Sequence, residues 1–359
     1  MKISSLIKEY LAPVLYLAAI LGFILLLINR DLPKVGHDYG FFLPRMLDTH
    51  LHYKVNGPVI QWYTANFGAG TPAYPNPQYL QYSLPQLYMF AVNPWLALML
   101  TVVTYSAIGF AGFYAFLRDE MGWISAACAL GASFIIANGF YVEHAIVGHV
   151  GFQPFPLLGM LLFLAFTKRL GYLPAGLLMG LVIALIVNQA GFVVLIISGI
   201  SLLLLFPLIY LIQPELFKPK LFMTLFVGAL SAVLLCLSKV SAVLAFMRFF
   251  PRVISDQYNQ TYLQGITGMV RQLTGLNFLI PYSLFTGSDV QQAISAFYHK
   301  GAGAQFGLWE MDMALSPALL LLLVVGLGYS ITVLSRNRPG ISAKKAVAIL
   351  ILCAGSWLA

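Results

Sequence analysis

The sequence predicts an all-α polytopic membrane protein, and three observations lead to this fold class. Of the 359 residues, 60% are hydrophobic and only 9% are charged, whereas soluble domains carry about a quarter charged residues. Apolar runs of roughly 18 to 20 residues recur, each long enough to cross a hydrocarbon core of about 30 Å as a helix. Lysine and arginine also concentrate in alternate loops, which is the pattern of a chain that crosses a membrane repeatedly.

The apolar runs predict about nine membrane-spanning helices. Because no small-residue cleavage site follows the first run, we expect a retained helix and not a signal peptide. The last run reaches the C-terminal residue, which predicts an incomplete final helix in a truncated chain. The predicted spans cover residues 12–29, 94–117, 123–140, 153–167, 172–187, 191–212, 221–238, 312–334 and an incomplete stretch from about 346.

The loop charges predict the topology. A cytoplasmic N-terminus places the cations at residues 2, 8, 118, 168, 169, 218, 220, 336, 338, 344 and 345 on the inner side. The segments 30–93, 141–152 and 239–311 then lie outside, and they carry all six histidines. We therefore predict one transmembrane domain over residues 1–359, with a site on the outer, extracytoplasmic face. The net charge of +8 follows from retained loop cations, so nucleic acid is not an expected partner. Membrane lipids are expected partners.

The first outer segment concentrates charge in a chain that has little. Asp38 follows the first span closely, in Gly-His-Asp-Tyr-Gly, and a carboxylate near the membrane boundary could accept a proton from a substrate hydroxyl. Asp38 could instead cap a helix, since residues 39–51 show helical spacing. His37, Arg45 and Asp48 are substrate-binding candidates in the same segment.

The second outer segment contains Glu143, His144 and His149. The two histidines are five residues apart, which is not the i, i+4 spacing of a helical zinc motif. Binding of an anionic headgroup by these three polar residues is therefore favoured over a metal site. The cysteines lie in apolar runs without metal-ligand spacing.

The third outer segment begins with three cations, Lys239, Arg248 and Arg252. Cations near membrane depth are costly, so a bound phosphate would account for them. Snorkelling to lipid headgroups is the alternative. Glu310, directly before a late apolar span, could pair with one of these cations or mark the end of a helix.

These motifs together resemble the GT-C superfamily of integral-membrane glycosyltransferases, in particular its YfhO-like bacterial branch. The resemblance lies in His37-Asp38 after the first helix and in the segment from Gly68 to Gln78, Gly-Ala-Gly-Thr-Pro-Ala-Tyr-Pro-Asn-Pro-Gln. It extends to the stretch that ends in Phe-Phe-Pro-Arg at position 252 and to Trp-Glu at position 310.

The resemblance implies a GT-C-like helix bundle in a bacterial cytoplasmic (inner) membrane, whose outer loops cover a cavity. It implies transfer of a sugar from a polyprenyl-phosphate donor to a glycan, lipid or protein of the cell envelope. Asp38 would be the general base, with Lys239, Arg248 and Arg252 at the donor phosphate and Gln78 in the substrate-binding loop. Deprotonation opposite the leaving group would invert the anomeric carbon. The first loop contains no Asp-x-Asp pair, so it stays open whether a divalent cation takes part.

Two other classes of function remain alternatives. A transporter or flippase for a lipid-linked glycan would use the same cations, but it should carry polar residues deep in several spans. A non-catalytic membrane assembly factor would use a Tyr- and Trp-rich outer surface for binding alone.

Overall fold

A computed structural model describes residues 3–30, 32 and 37–250 of the chain. The predicted spans at 312–334 and from 346, together with Arg252 and Glu310, lie outside the described residues. The helices are α1 Ile3–Asn29, α2 His37–Asn56, α3 Leu84–Tyr88, α4 Pro94–Ala115, α5 Ser125–Ile136, α6 Gly139–Val147, α7 Leu158–Phe166, α8 Tyr172–Asn188, α9 Phe192–Ile212 and α10 Pro219–Phe249. A π-helical turn, Phe116–Glu120, continues α4.

Long apolar helices confirm the class of membrane protein. In the described part of the chain, three helices are long and apolar enough to cross a membrane, within Tyr10–Asn29, Pro94–Glu120 and Pro219–Phe249. A fourth span results if α5 and α6 are counted as one bent span. The number nine and the orientation of the helices stay predictions.

The outer surfaces of these helices are apolar as well. Leucine, valine and phenylalanine side chains of α8 and α10 are exposed, where a soluble protein would show polar residues. Lipid tails can cover such a surface without cost. The exposed apolar residues of these two helices include Leu173, Leu177, Leu181, Phe222, Phe226, Leu230, Val233, Leu234 and Leu237.

The described residues fall into two units. The first holds those of Met1–Ala137, His144–Ser198 and Leu216–Arg252, and the second those of Asn138–Glu143 and Gly199–Glu215. In the first unit α4 packs on α5 and α7, and α8 packs along α10. Small residues allow the second contact, because a Cβ on Gly176 or Gly180 would lie 2.6 Å or 1.8 Å from side-chain atoms of α10. Close packing at glycines four residues apart is typical of membrane helices.

In the first predicted loop, residues 30–93, the stretch 37–93 is a folded segment. It contains α2, then the two-stranded antiparallel ribbon of β1 Tyr63–Thr64 and β2 Thr71–Pro72, and then α3. The second predicted outer segment, 141–152, is also ordered, since α6 continues to Val147 and a 3-10 turn follows at Val150–Phe152.

At one end of the first unit, the loop charges pair with each other. The Lys168 ammonium lies 3.3 Å from the Glu120 carboxylate, and the Arg169 guanidinium lies 2.7 Å from the Asp119 carboxylate. The Lys220 ammonium donates to the Thr167 carbonyl at 2.5 Å. These contacts bring together three of the loops that the charge pattern predicted for the cytoplasmic side.

Candidate functional site

A carboxylate and an imidazole meet at the other end of the first unit. Nε2 of His149 lies 3.0 Å from Oδ2 of Asp38, and the two side chains are 18% and 30% exposed. Asp38 stands in the first turn of α2, and His149 follows α6. The structure thus joins two predicted site residues from different predicted outer segments, at a partly exposed position.

The buried ring of Tyr39 positions this pair. Its hydroxyl donates to the Ala145 carbonyl, and its ring meets the edge of Trp95 at a centroid distance of 4.9 Å. Gly148 lies directly against it with φ +96°, and a Cβ there would be 2.6 Å from the Tyr39 nitrogen. Only glycine meets both conditions, because this φ is strained for other residues. The start of α2 is therefore fixed against the turn that carries His149.

His144 supports the second half of the pair. Its side chain is buried, and its ring lies 4.1 Å from that of Phe152 and 4.9 Å from that of His149, centroid to centroid. Glu143 is also buried. Of the three residues predicted to bind a headgroup, His149 is partly exposed, whereas Glu143 and His144 are buried.

Arg45 lies two helical turns after Asp38, on the same face of α2 and about 10.5 Å further along its axis. Its guanidinium carbon stands 3.4 Å from the ring centroid of Phe41, 5.6 Å from that of Tyr79 and 5.9 Å from that of Phe67. Burial lowers the pKa of Arg45, and the neighbouring Tyr79 opposes this shift. Nη1 is buried, and among the described residues it has no hydrogen-bond partner.

Asp48 organises the folded segment. Its carboxylate is 8% exposed, and four neutral side chains of the segment donate to it. These are Gln61 at 2.9 Å, Thr64 at 3.1 Å, Tyr79 at 3.4 Å, and Asn66. Burial and then the charge of Asp48 raise the pKa of Tyr79. Hydrogen bonding within the chain explains Asp48 without a substrate.

Lys239 has a comparable structural role. It is 1% exposed, and its ammonium donates to the carbonyls of Tyr74 at 2.8 Å, Asn76 at 3.0 Å and Tyr79 at 3.2 Å. An ammonium has three hydrogens to donate, so in this arrangement none is left for a phosphate. Twenty residues of α10 precede it, about 30 Å of helix, which places Lys239 near one boundary of the span.

The remaining predicted site residues are dispersed. Gln78 is exposed. Arg248 is exposed in the last turn of α10, with its guanidinium 6.0 Å from the ring centroid of Phe249. It follows Lys239 by nine residues, about 13.5 Å of helix, so these two cations do not form one cluster. His37 begins α2, and its side chain lies outside the description, as do Arg252 and Glu310.

An aromatic cluster covers the folded segment. A Tyr- and Trp-rich outer surface was predicted only for the non-catalytic alternative, and none of these rings was a candidate site residue. Tyr74 meets Trp62 and Tyr82 edge-on at 5.7 Å and 6.1 Å, and Tyr53 stacks on Phe90 at 6.1 Å. Trp62 stays 58% exposed. The density of tyrosines in the folded segment is the one sequence signal that could have indicated this aromatic cluster.

Comparisons with known proteins add no family to this geometry. The chain matches no protein-family model, no curated protein and no solved structure. Among the described residues, no group of three histidine, cysteine, aspartate or glutamate side chains is placed to hold a metal ion. The class that the fold and the site define is therefore a helical membrane protein with a folded polar segment and a carboxylate–imidazole pair.

Proposed function

We propose that the protein is a membrane glycosyltransferase that moves a sugar from a polyprenyl-phosphate donor to a cell-envelope glycan, lipid or protein. The Asp38–His149 pair carries this proposal. Two segments separated along the chain bring a partly exposed carboxylate to within 3.0 Å of an imidazole, which is the kind of group that general-base catalysis requires.

In this mechanism Asp38 removes the proton from the acceptor hydroxyl as that oxygen attacks the anomeric carbon. The bond from that carbon to the phosphate oxygen breaks, and the phosphate leaves with the bonding electrons. His149 orients the carboxylate, because the 3.0 Å contact fixes one of its oxygens. Attack opposite the leaving group inverts the anomeric centre.

Arg45 is a better candidate than Lys239 for the phosphate. The negative charge that develops on a leaving phosphate is stabilised by a cation whose N–H groups are not all hydrogen-bonded within the protein. Nη1 of Arg45 is such a donor among the described residues, whereas the Lys239 ammonium is held by three carbonyls. In this proposal the sugar ring lies between Asp38 and Arg45, two turns apart on α2. The exposed ring of Trp62 offers a flat apolar surface for a sugar.

The test is sugar transfer by the purified full-length protein from a panel of polyprenyl-phosphate sugars. We expect transfer by the wild type and a loss of at least about 100-fold in Asp38→Asn, which is the usual contribution of a general base. His149→Gln should retain part of the rate. A chelator arm decides whether a divalent cation participates.

Asp119→Asn is the matched control. Asp119 is an ion-paired carboxylate at the other end of the unit, so its substitution should leave transfer unchanged. If the folded wild type does not transfer sugar but translocates a lipid-linked glycan in proteoliposomes, the protein is a flippase and not a glycosyltransferase. Absence of both would favour a binding role alone.

A further inference from the structure

A second feature lies at the opposite end of the first unit, where α1 faces α4. Between the two helices lies a cavity of about 220 Å³. Pro13, Val14 and Leu17 of α1 form one wall, and Phe110 and Ala111 of α4 form the other. Val14 and Ala111 are exposed, so the cavity is an apolar groove open to the side.

The mouth of the groove is cationic and aromatic. Nη1 of Arg118 donates to the Tyr10 hydroxyl, and the guanidinium carbon stands 4.9 Å from the centroid of the Tyr10 ring. Arg169 also lines the mouth, with its side chain 59% exposed and paired to Asp119 at 2.7 Å. Two arginines and one aspartate thus give the lining a formal charge of +1.

The depth of these groups matches that of a lipid. Tyr10 begins the candidate span of α1, and Arg118 lies at the end of the span that contains α4. Tyrosine and arginine at such ends lie at headgroup level. From Arg118 to Phe110 the helix covers eight residues, about 12 Å. One leaflet of a hydrocarbon core is about 15 Å deep, so the groove runs along most of an acyl chain.

We propose that this groove binds one phospholipid with an anionic headgroup from the surrounding bilayer. The phosphate contacts the guanidinium groups of Arg118 and Arg169 and the Tyr10 hydroxyl, and one acyl chain lies between α1 and α4. The charge of the mouth selects an acidic lipid over a zwitterionic one. The apolar walls select a lipid over a soluble phosphate. The site is separate from Asp38 and does not depend on the enzymatic proposal.

The experiment is native mass spectrometry of the purified full-length protein, delipidated in detergent and then mixed with phosphatidylglycerol or with phosphatidylcholine of identical chains. We expect the wild type to retain one phosphatidylglycerol at lower lipid concentration than phosphatidylcholine. Each arginine near a charged lipid is worth about 1 kcal/mol, or about fivefold in affinity. Arg169→Gln should therefore lower the preference about fivefold, and Arg118→Gln by at least as much.

Two further variants separate the contributions. Ala111→Trp keeps both arginines but fills the groove, and it should abolish retention of the lipid. Lys218→Gln is the matched charge control, an exposed lysine at the same end that does not line the groove. It should bind like the wild type. Because Arg169 and Ala111 are exposed, these two variants remain informative if Arg118→Gln does not fold.

Four results would overturn the proposal. Equal retention of both lipids by the wild type would remove the role of the cations. Wild-type binding by Ala111→Trp would place the lipid elsewhere. Dimers that exclude lipid would assign the groove to a second copy of the chain. Competition by glycerol phosphate at concentrations equal to those of the lipid would show that the acyl chain contributes nothing.

Discussion

Replacing Lys239 with methionine tests the role of the buried lysine. Methionine is flexible and close in size, so it can fill the same space without donating a hydrogen bond. The substitution removes the donor from three carbonyls, at Tyr74, Asn76 and Tyr79. It therefore detaches residues 74–79 from α10 while leaving the helix itself intact.

The expected loss of stability follows from these contacts. A buried carbonyl left without a donor costs about 1 to 3 kcal/mol, so three cost about 3 to 9 kcal/mol. Removing a buried ammonium regains several kcal/mol of desolvation. The net destabilisation should be about 3 kcal/mol, and at about 2 °C per kcal/mol for a large chain the melting temperature should fall by about 6 °C.

Thermal unfolding in detergent, with limited proteolysis at residues 74–79, measures this effect. Lys218→Met makes the same change of side chain at an exposed position before α10 and should leave both readouts unchanged. Ser238→Ala, which loses one 2.6 Å bond to the Tyr74 hydroxyl, should cost about 1 kcal/mol. If Lys239→Met melts with the wild type and resists proteolysis equally, the lysine does not anchor the segment. If that stable variant no longer bound the polyprenyl-phosphate sugar, Lys239 would again be a candidate contact to the donor phosphate.

Three other variants test the supports of the site. Gly148→Ala should cost about 2 to 3 kcal/mol because of its positive φ and the Cβ 2.6 Å from Tyr39. Gly22→Ala, with no atom near its Cβ, is the control, and equal melting temperatures would contradict the packing argument. Asp48→Asn should cost about 2 to 4 kcal/mol in denaturant titration, since four donors lose a charged acceptor. An unchanged midpoint would show that the network is dispensable. Burial raises the pKa of Tyr53 to about 12, above about 10 in the unfolded chain. The raised pKa therefore stabilises the fold below pH 10, and this contribution is lost as pH rises through 12. Tyr53→Phe should flatten that part of the stability curve, and an unaltered slope would refute the assignment.

Hydropathy predicted several helices to within a few residues. Residues 94–117 correspond to α4 and 172–187 to α8, because in lipid each backbone group must be satisfied within its own helix. The break in the predicted span 123–140 was missed, since Ala137 and Asn138 hardly change a window average. The continuation of α6 to Val147 was missed because a hydropathy average counts a histidine as exposed, whereas His144 is buried against Phe152.

The site was less predictable because its contacts are distant in sequence. The sequence identifies Asp38 and His149 as separate candidates, but no local sequence feature predicts that their side chains are in contact. The cost of burying Lys239 correctly indicated that it needs a partner. The partner is backbone carbonyl, which every residue carries, so the sequence could not distinguish it from a phosphate. The aromatic rings around Arg45 were unpredictable for the same reason.

These differences decide how variant activities should be interpreted. Asp38 is 30% exposed in its pair with His149, and partly exposed contacts of this kind contribute about 1 kcal/mol or less. Its substitution should change chemistry with little change in melting temperature. Lys239→Met should lower stability first, so its loss of activity would carry no information on catalysis. Measuring melting temperature beside transfer rate therefore separates a residue that acts on the substrate from one that holds the segment in place. Of these two variants, only Asp38→Asn should lose the rate while keeping the wild-type melting temperature.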